Sequence, residues 1–455
     1  MQPSPQPSSQ PSRQPNLQSF AGLRQAFAKG EDSPTAFLQR CLNIIDARDG
    51  EILAFIALDR EAALRAAAES SARWQAGAPL SPIDGMPIGI KDVIETAGMP
   101  TGQGSERFAG TQTGRDAAAV LALREAGAVI LGKTATTEFA ATYPAATRNP
   151  CDLTRTPGGS SSGSAASISA GMLPAALGTQ VVGSIIRPSS FCGVYGYKPS
   201  LGGLNRGGSN DQLSQSCMGV LGASLEDARD VAMAIAERVG GDPGFAGLDL
   251  PPLTATRPRA LAVLELAGYA KADPAARAAF DALRARLQAT GVHLIDRHSH
   301  AGLERLEQAL ADAFAESRRI ITWESLWPMR EYARAPEPKI SSHTLARVAD
   351  GRKMTVADYR AALALRASVR ALADSVLGEF DGAISLAAPG AAPVGLEATG
   401  NPVQNVPASY LGTPVIGLPL MQADGLPLGL QVMDRLNNDA ALFGVAKWLE
   451  EAGIR

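Results

Sequence analysis

The sequence predicts an α/β fold, one domain with a helical insertion, from three observations. Segments with apolar residues at helical spacing alternate with short apolar runs of strand length from residue 17 to the end of the chain. No Pro/Gly-rich linker divides them, although 455 residues would accommodate two or three domains. From about residue 300 to 378 the pattern becomes wholly helical, which marks an insertion or cap.

Taken in order, residues 1–16 (MQPSPQPSSQPSRQPN) form a Pro/Gln/Ser tract without apolar periodicity and are expected to be a disordered tail. Residues 17–455 are the domain. Leu17–Lys29 and Pro34–Ala47 have helical spacing, with Ser33-Pro34 reading as N-cap and first helical residue. Alanine-rich Arg60–Gln75 is a third helix, and Pro87–Lys91 a short buried strand. Ala117–Glu125 followed by Ala128–Leu131 reads as helix, glycine turn, strand. Ser164–Gly171 is a helix of small residues, and Ala175–Thr179 a strand. Leu225–Ile235 and Pro274–Thr290 are helices on either side of a strand at Ala260–Leu266. Beyond the insertion, strands are expected at Ala383–Leu386, Val415–Leu418 and Leu428–Val432, and a closing helix at Ala440–Glu451.

Composition narrows the function classes. At 45% hydrophobic and 19% charged, the chain can bury a large core. A net charge of −3 argues against an electrostatic nucleic-acid surface. No run approaches the roughly 18 apolar residues of a membrane span, and no signal segment opens the chain. A cytoplasmic enzyme is the expectation, a monomer or homodimer acting on a small molecule, with no nucleic-acid or membrane partner. Cys41, Cys151, Cys192 and Cys217 lack metal spacing and read as buried thiols. Of four histidines, three (His293, His298, His300) lie in one polar stretch without a trusted acidic partner, so neither a metal nor a cofactor is expected.

The chemistry concentrates in Thr156–Pro199, TPGGSSSGSAASISAGMLPAALGTQVVGSIIRPSSFCGVYGYKP. Ser160 sits in one glycine-rich loop and Ser184 follows Gly183 in a second. Upstream, Lys91 closes the apolar run MPIGIKD. A serine nucleophile needs a base, and a desolvated lysine can serve where no histidine is at hand. The Gly158–Ser164 loop admits three readings on composition. It could be a flexible linker, a phosphate cradle lacking its GK[ST] ending, or a catalytic loop in which glycines allow unusual backbone angles. Lys91 could equally pair with Asp92 or another acid.

These two loops, with PIGIKD before them, resemble the signature region of the amidase signature family, and the resemblance runs from about Leu17 to the C-terminal GLPLGLQVM. It implies a central mixed, mostly parallel sheet flanked by helices and a Ser–cis-Ser–Lys triad. Carried over, Ser184 is the nucleophile, 24 positions after Ser160 as in the family. Ser160, on a cis peptide bond from Gly159, is the bridging serine, and Lys91 is the base. To accept a proton Lys91 must be neutral near working pH, far below its free pKa of about 10.4. The oxyanion hole falls on the backbone N–H groups of Val181, Val182, Gly183 and Ser184.

The second loop departs from the common GTDxGGS. Here it reads GTQVVGS, with Gln180 removing a charge and Arg187 displaced by one position. This form is similar to a bacterial branch acting on acyl- and arylamides, which urethane-cleaving members also resemble. Val182 is disfavoured at positive φ and must differ from a glycine there, either greasing the pocket or packing into the core. Trp323, Trp327, Met329 and Tyr332 in the insertion are candidate entrance residues, and Phe139, Tyr143 and Met172 further pocket candidates. Thr147-Arg148-Asn149-Pro150 is expected to hold the loops together. With no evident carboxylate clamp, a neutral amide, carbamate or ester is the expected substrate. The alternative is the glutamine-hydrolysing subunit of a tRNA-dependent amidotransferase.

Overall fold

In the computed structural model, which describes residues 13–452, eleven strands among the described residues pair into one sheet. They are β1 (Phe55–Leu58), β2 (Pro87–Lys91), β3 (Val129–Thr134), β4 (Ala175–Gln180), β5 (Tyr195–Lys198) and β6 (Cys217–Gly222). The remainder are β7 (Ala260–Val263), β8 (His293–Ile295), β9 (Ala383–Leu386), β10 (Val415–Ala423) and β11 (Leu426–Met433). Their order across the sheet is β1-β3-β2-β4-β6-β5-β10-β11-β9-β7-β8. β2 runs parallel to both β3 and β4, and β7 parallel to β8 and β9, while the other pairings are antiparallel. The sheet is thus mixed, with antiparallel pairs in the majority, which corrects the mostly parallel arrangement. The hairpin β10–β11 and the short β5–β6 pair supply the difference.

Strands β2, β3, β4 and β6 are buried along their whole length. A strand covered on both faces reads as a continuous apolar run. That is why PIGIK, VILGKT and AALGTQ are legible. The helices Arg60–Gln75 and Ala118–Glu125 follow the expected bounds closely, and Ser33 caps Pro34–Ile52 by accepting from Ala36 N–H at 3.1 Å. The helical stretch after residue 300 consists of Ala301–Leu310, Ala313–Glu324, Leu326–Ala333, Ser342–Gly351 and Val356–Leu377.

The small-residue helix Ser162–Ser169 is buried on every side, packed between β2, β3, β4 and the helix Ile186–Cys192. Gly163 lies against the chain so closely that a Cβ there would stand 2.1 Å from Ala54 O and 2.4 Å from Ala135 N. Of the stretch 1–16 expected to be a tail, residues 1–12 lie outside the described residues, and Asn16 is docked, its N–H donating to Ser169 O at 2.8 Å. Among the described residues no helix is long and apolar enough to cross a membrane.

Candidate active site

Lys91 ends β2 beside β4, so the sheet brings it to the loop that follows β4. Its Nζ donates to Ser160 Oγ at 2.7 Å, to Thr179 Oγ1 at 2.7 Å and to Thr179 O at 3.3 Å. The ammonium is wholly enclosed, and burial pulls its pKa down to about 7, with the Asp211 carboxylate drawing it partly back up. Asp92 does not pair with it. That carboxylate turns to the equally buried Lys133, 3.5 Å away.

Ser160 follows the cis peptide bond Gly159–Ser160. The carbonyl of Gly159 accepts from Arg187 Nη2 at 2.7 Å, and Arg187 Nε reaches Thr399 O at 2.7 Å. Burial lowers the pKa of that guanidinium to about 10. Ser161 N–H donates to Ser184 O at 3.3 Å, joining the two serine loops. The Asn149 side chain ties the flanks of the two loops further, its Nδ2 donating to Thr156 O at 3.4 Å and to Phe191 O at 2.9 Å. Ser184 lines a cavity of about 740 Å³, and its Oγ is unpaired among the described residues. The N–H groups of Val181, Val182, Gly183 and Ser184 likewise donate to nothing among the described residues.

Val182 is not among the residues at positive φ. It both touches the core and lines the cavity, so the two expectations for its side chain hold together. Gly183 has a separate steric reason, because a Cβ there would meet Asn405 Oδ1 at 2.7 Å.

Of the pocket candidates, Phe139, Met329 and Tyr332 line the cavity. Phe139 carries φ 51° and stacks against Tyr332 at 5.4 Å. Four others do not line it. Met172 is fully buried beneath the serine loops, in the core. Trp323 stacks on Tyr359 at 5.8 Å and Trp327 is 70% exposed. At about 100° per residue, each is about 200° round its helix from Ile321 and Met329, which do face the cavity. Tyr143 sits one step out, edge-on to the cavity residue His343 at 5.5 Å.

Sequence reasoning missed the charges. Asp211, Arg318, Arg347 and Asp350 all line the cavity. Arg318 and Asp350 approach to 3.5 Å, whereas Arg347 has no hydrogen bond or ion pair among the described residues. Burial first, then the like charge of Arg318, lowers the Arg347 pKa. Nothing local in the sequence marks these residues, which sit on amphipathic helices and a loop. No group of three or more His, Cys, Asp or Glu side chains able to hold a metal occurs among the described residues.

Comparison with known proteins places this geometry. The Amidase family model matches residues 36–443. A glutamyl-tRNA(Gln) amidotransferase subunit from Chloroflexus aggregans is 33% identical over 92% of this chain and 93% of its own. An amidase crystal structure superposes with a TM-score of 0.82 at 26% identity, covering 95% of this chain and 99% of its own. A bacterial aryl acylamidase of the amidase signature family gives 0.79 at 20% identity over 96% and 97%, which speaks to the fold. The amidotransferase relative overturns the expectation that nucleic acid is excluded as a partner, since net charge says nothing about a tRNA met through an assembly. The family match spans every strand of the sheet and both serine loops, and the chain accordingly belongs to the amidase signature family of C–N hydrolases.

Proposed function

We propose that this chain hydrolyses neutral amides bearing bulky or aryl groups, and also carbamates and esters, through an acyl-enzyme on Ser184. Neutral Lys91 draws the proton of Ser160, Ser160 draws that of Ser184, and Ser184 Oγ attacks the carbonyl carbon. The unpaired N–H groups of Val181, Val182, Gly183 and Ser184 receive the negative charge that develops on the carbonyl oxygen. Ser160 returns a proton to the leaving amine, and water then cleaves the acyl-enzyme. With a carbamate, attack has the same tetrahedral geometry, and the carbonic monoester or carbamic acid released loses CO₂. The observation that carries this reading is the cavity over Ser184, with Phe139, Val181, Val182, Ile321, Met329 and Tyr332 on its walls. The helices Ala313–Glu324, Leu326–Ala333 and Ser342–Gly351 supply much of its rim and act as the entrance.

A second reading, glutamine hydrolysis within a tRNA-dependent amidotransferase, has the better support among the similar proteins, and two observations favour it. The amidotransferase relative is similar over nearly its whole length. The cavity also holds a cation without hydrogen bond or ion pair among the described residues, Arg347, and an anion, Asp211, which suit the two charged ends of glutamine.

One experiment separates them. The purified chain and Ser184→Ala are assayed for nitroaniline release from a nitroanilide and an N-nitrophenyl carbamate, and for ammonia release from glutamine. Release of nitroaniline that vanishes in the variant supports the first reading. Ammonia from glutamine alone supports the second. Equal activity in both proteins sinks Ser184 as nucleophile.

A further inference from the structure

The loop after β4 is held by its carbonyls. In a trans peptide the C=O of one residue and the N–H of the next point in opposite directions. The bonds following Val181 and Val182 are both trans. Whatever binds these carbonyls therefore aims the N–H groups of Val182 and Gly183. Gln215, fully buried, donates from Nε2 to Val181 O at 2.8 Å. Ser409, also fully buried, donates from Oγ to Val182 O at 2.8 Å.

Ser409 has a single hydroxyl proton, committed to Val182 O, so only a donor can face its lone pairs. That donor is Gln180 Nε2 at 3.0 Å. The other end of the same amide, Oε1, accepts from Ile185 N–H at 2.9 Å and Ile186 N–H at 3.0 Å, where the helix after Ser184 begins. One amide thus braces the loop on both sides of the serine. A carboxylate at 180 keeps the helix contacts and loses the other. Having no N–H, it takes the Ser409 proton for itself and releases Val182 O. Gln215 is anchored in turn by Ser317 Oγ at 2.6 Å, on a helix that walls the cavity.

We infer that Gln180, Ser409 and Gln215 are positioning residues that aim the Val182 and Gly183 N–H groups at the reacting oxygen, and that position 180 must be an amide for the set to work. The inference rests on the proposed role of Ser184.

The test uses the full chain and a fluorophosphonate. Ser184 Oγ bonds to phosphorus, fluoride leaves, and the serine proton is lost to the base. The P=O oxygen needs the same two N–H groups, and intact mass spectrometry reads the rate without a natural substrate. Gln180→Glu and Ser409→Ala are expected to react on the order of 100-fold more slowly, the loss that follows removal of one such donor. Ser409→Thr, which keeps the hydroxyl, is expected to react at close to the wild-type rate. On any turned-over ester the deficit falls in kcat and leaves KM in place, which a loss of packing alone does not produce. Should Gln180→Glu unfold, the Ser409→Ala and Ser409→Thr pair decides. Wild type that fails to react, or Ser184→Ala that reacts, overturns the nucleophile assignment. Wild type that reacts, with folded Gln180→Glu and Ser409→Ala reacting equally fast, overturns this inference alone.

Discussion

Lys91 and Asp92 are neighbours in sequence and share no hydrogen bond or ion pair, because Asp92 pairs with Lys133 at 3.5 Å while Lys91 faces Ser160 and Thr179. Adjacent residues at the end of a strand point to opposite sides. The alternation gives one lysine a carboxylate and leaves the other with hydroxyls and a carbonyl. A lysine held this way can lose its proton near neutrality, whereas at Lys133, pulled down by burial to about 8, the Asp92 carboxylate offsets part of the shift.

The first consequence is a pH profile. With Lys91 pulled down to about 7, kcat/KM is expected to rise with pH and reach half its plateau near that value. Asp211 opposes the shift, so Asp211→Asn removes a charge that favours the protonated form and moves the rising limb to lower pH. Rates on a nitrophenyl ester from acid to alkaline pH read both. A limb that stays in place or moves upward contradicts the assignment.

Stability carries the same signature. The unfolded chain keeps the Lys91 proton up to about pH 10.4, the folded chain only up to about 7. Between these values the unfolded state binds more protons, so this residue makes stability rise with pH; below about 7 its contribution is flat. Lys91→Met is expected to remove that part of the slope, seen in urea midpoints across the window, and to lower turnover by roughly 10²–10⁴-fold.

The cavity wall predicts selectivity. Met329 lines the cavity and Trp327, two residues earlier, is exposed. Met329→Ala is expected to lower kcat/KM for a bulky aryl amide relative to an acetyl amide by about tenfold, the scale of a pocket contact. Trp327→Ala leaves the ratio unchanged. The ratio of two substrates in one assay cancels differences in active fraction.

Packing behind Ser160 predicts a stability cost. A Cβ at Gly163 would stand 2.1 Å from Ala54 O, a backbone atom with no room to yield. Gly163→Ala is expected to destabilise the fold by about 3 kcal/mol, at the upper end for overpacking, and to impair turnover by moving the Ser160 loop. Urea denaturation measures the first and the ester assay the second.

Much of this was legible in the chain because burial on two faces writes a continuous apolar run. β2, β3 and β4 were readable for that reason, as were the helices with an N-cap or a clear stripe. The strands Phe55–Leu58, Tyr195–Lys198, Cys217–Gly222 and His293–Ile295 escaped because segments this short carry little periodicity of their own. Ser160 and Ser184 stood out through their glycine-rich loops, and Lys91 through the apolar run it closes. Gln215, Ser409 and Arg347 did not, since each acts across more than 30 residues of sequence on an ordinary-looking segment. Helical spacing in the insertion revealed the helices but not which face meets the cavity, so Trp323 and Trp327 were named alongside Met329 although of the three it is Met329 that lines the cavity.

Because Lys91 belongs to a strand, pairing Ile88, Gly89 and Ile90 with Ala175, Ala176 and Leu177, its position is a matter of sheet register. A slip of one residue would turn every side chain of β2 to the other face, sending the amine away from Ser160 and Asp92 into its place. On the roles proposed for Ser184 and Lys91, reactivity at Ser184 is therefore a readout of correct assembly: a misthreaded molecule keeps the serine but not the lysine beside it, and stays chemically silent until the strand is rethreaded.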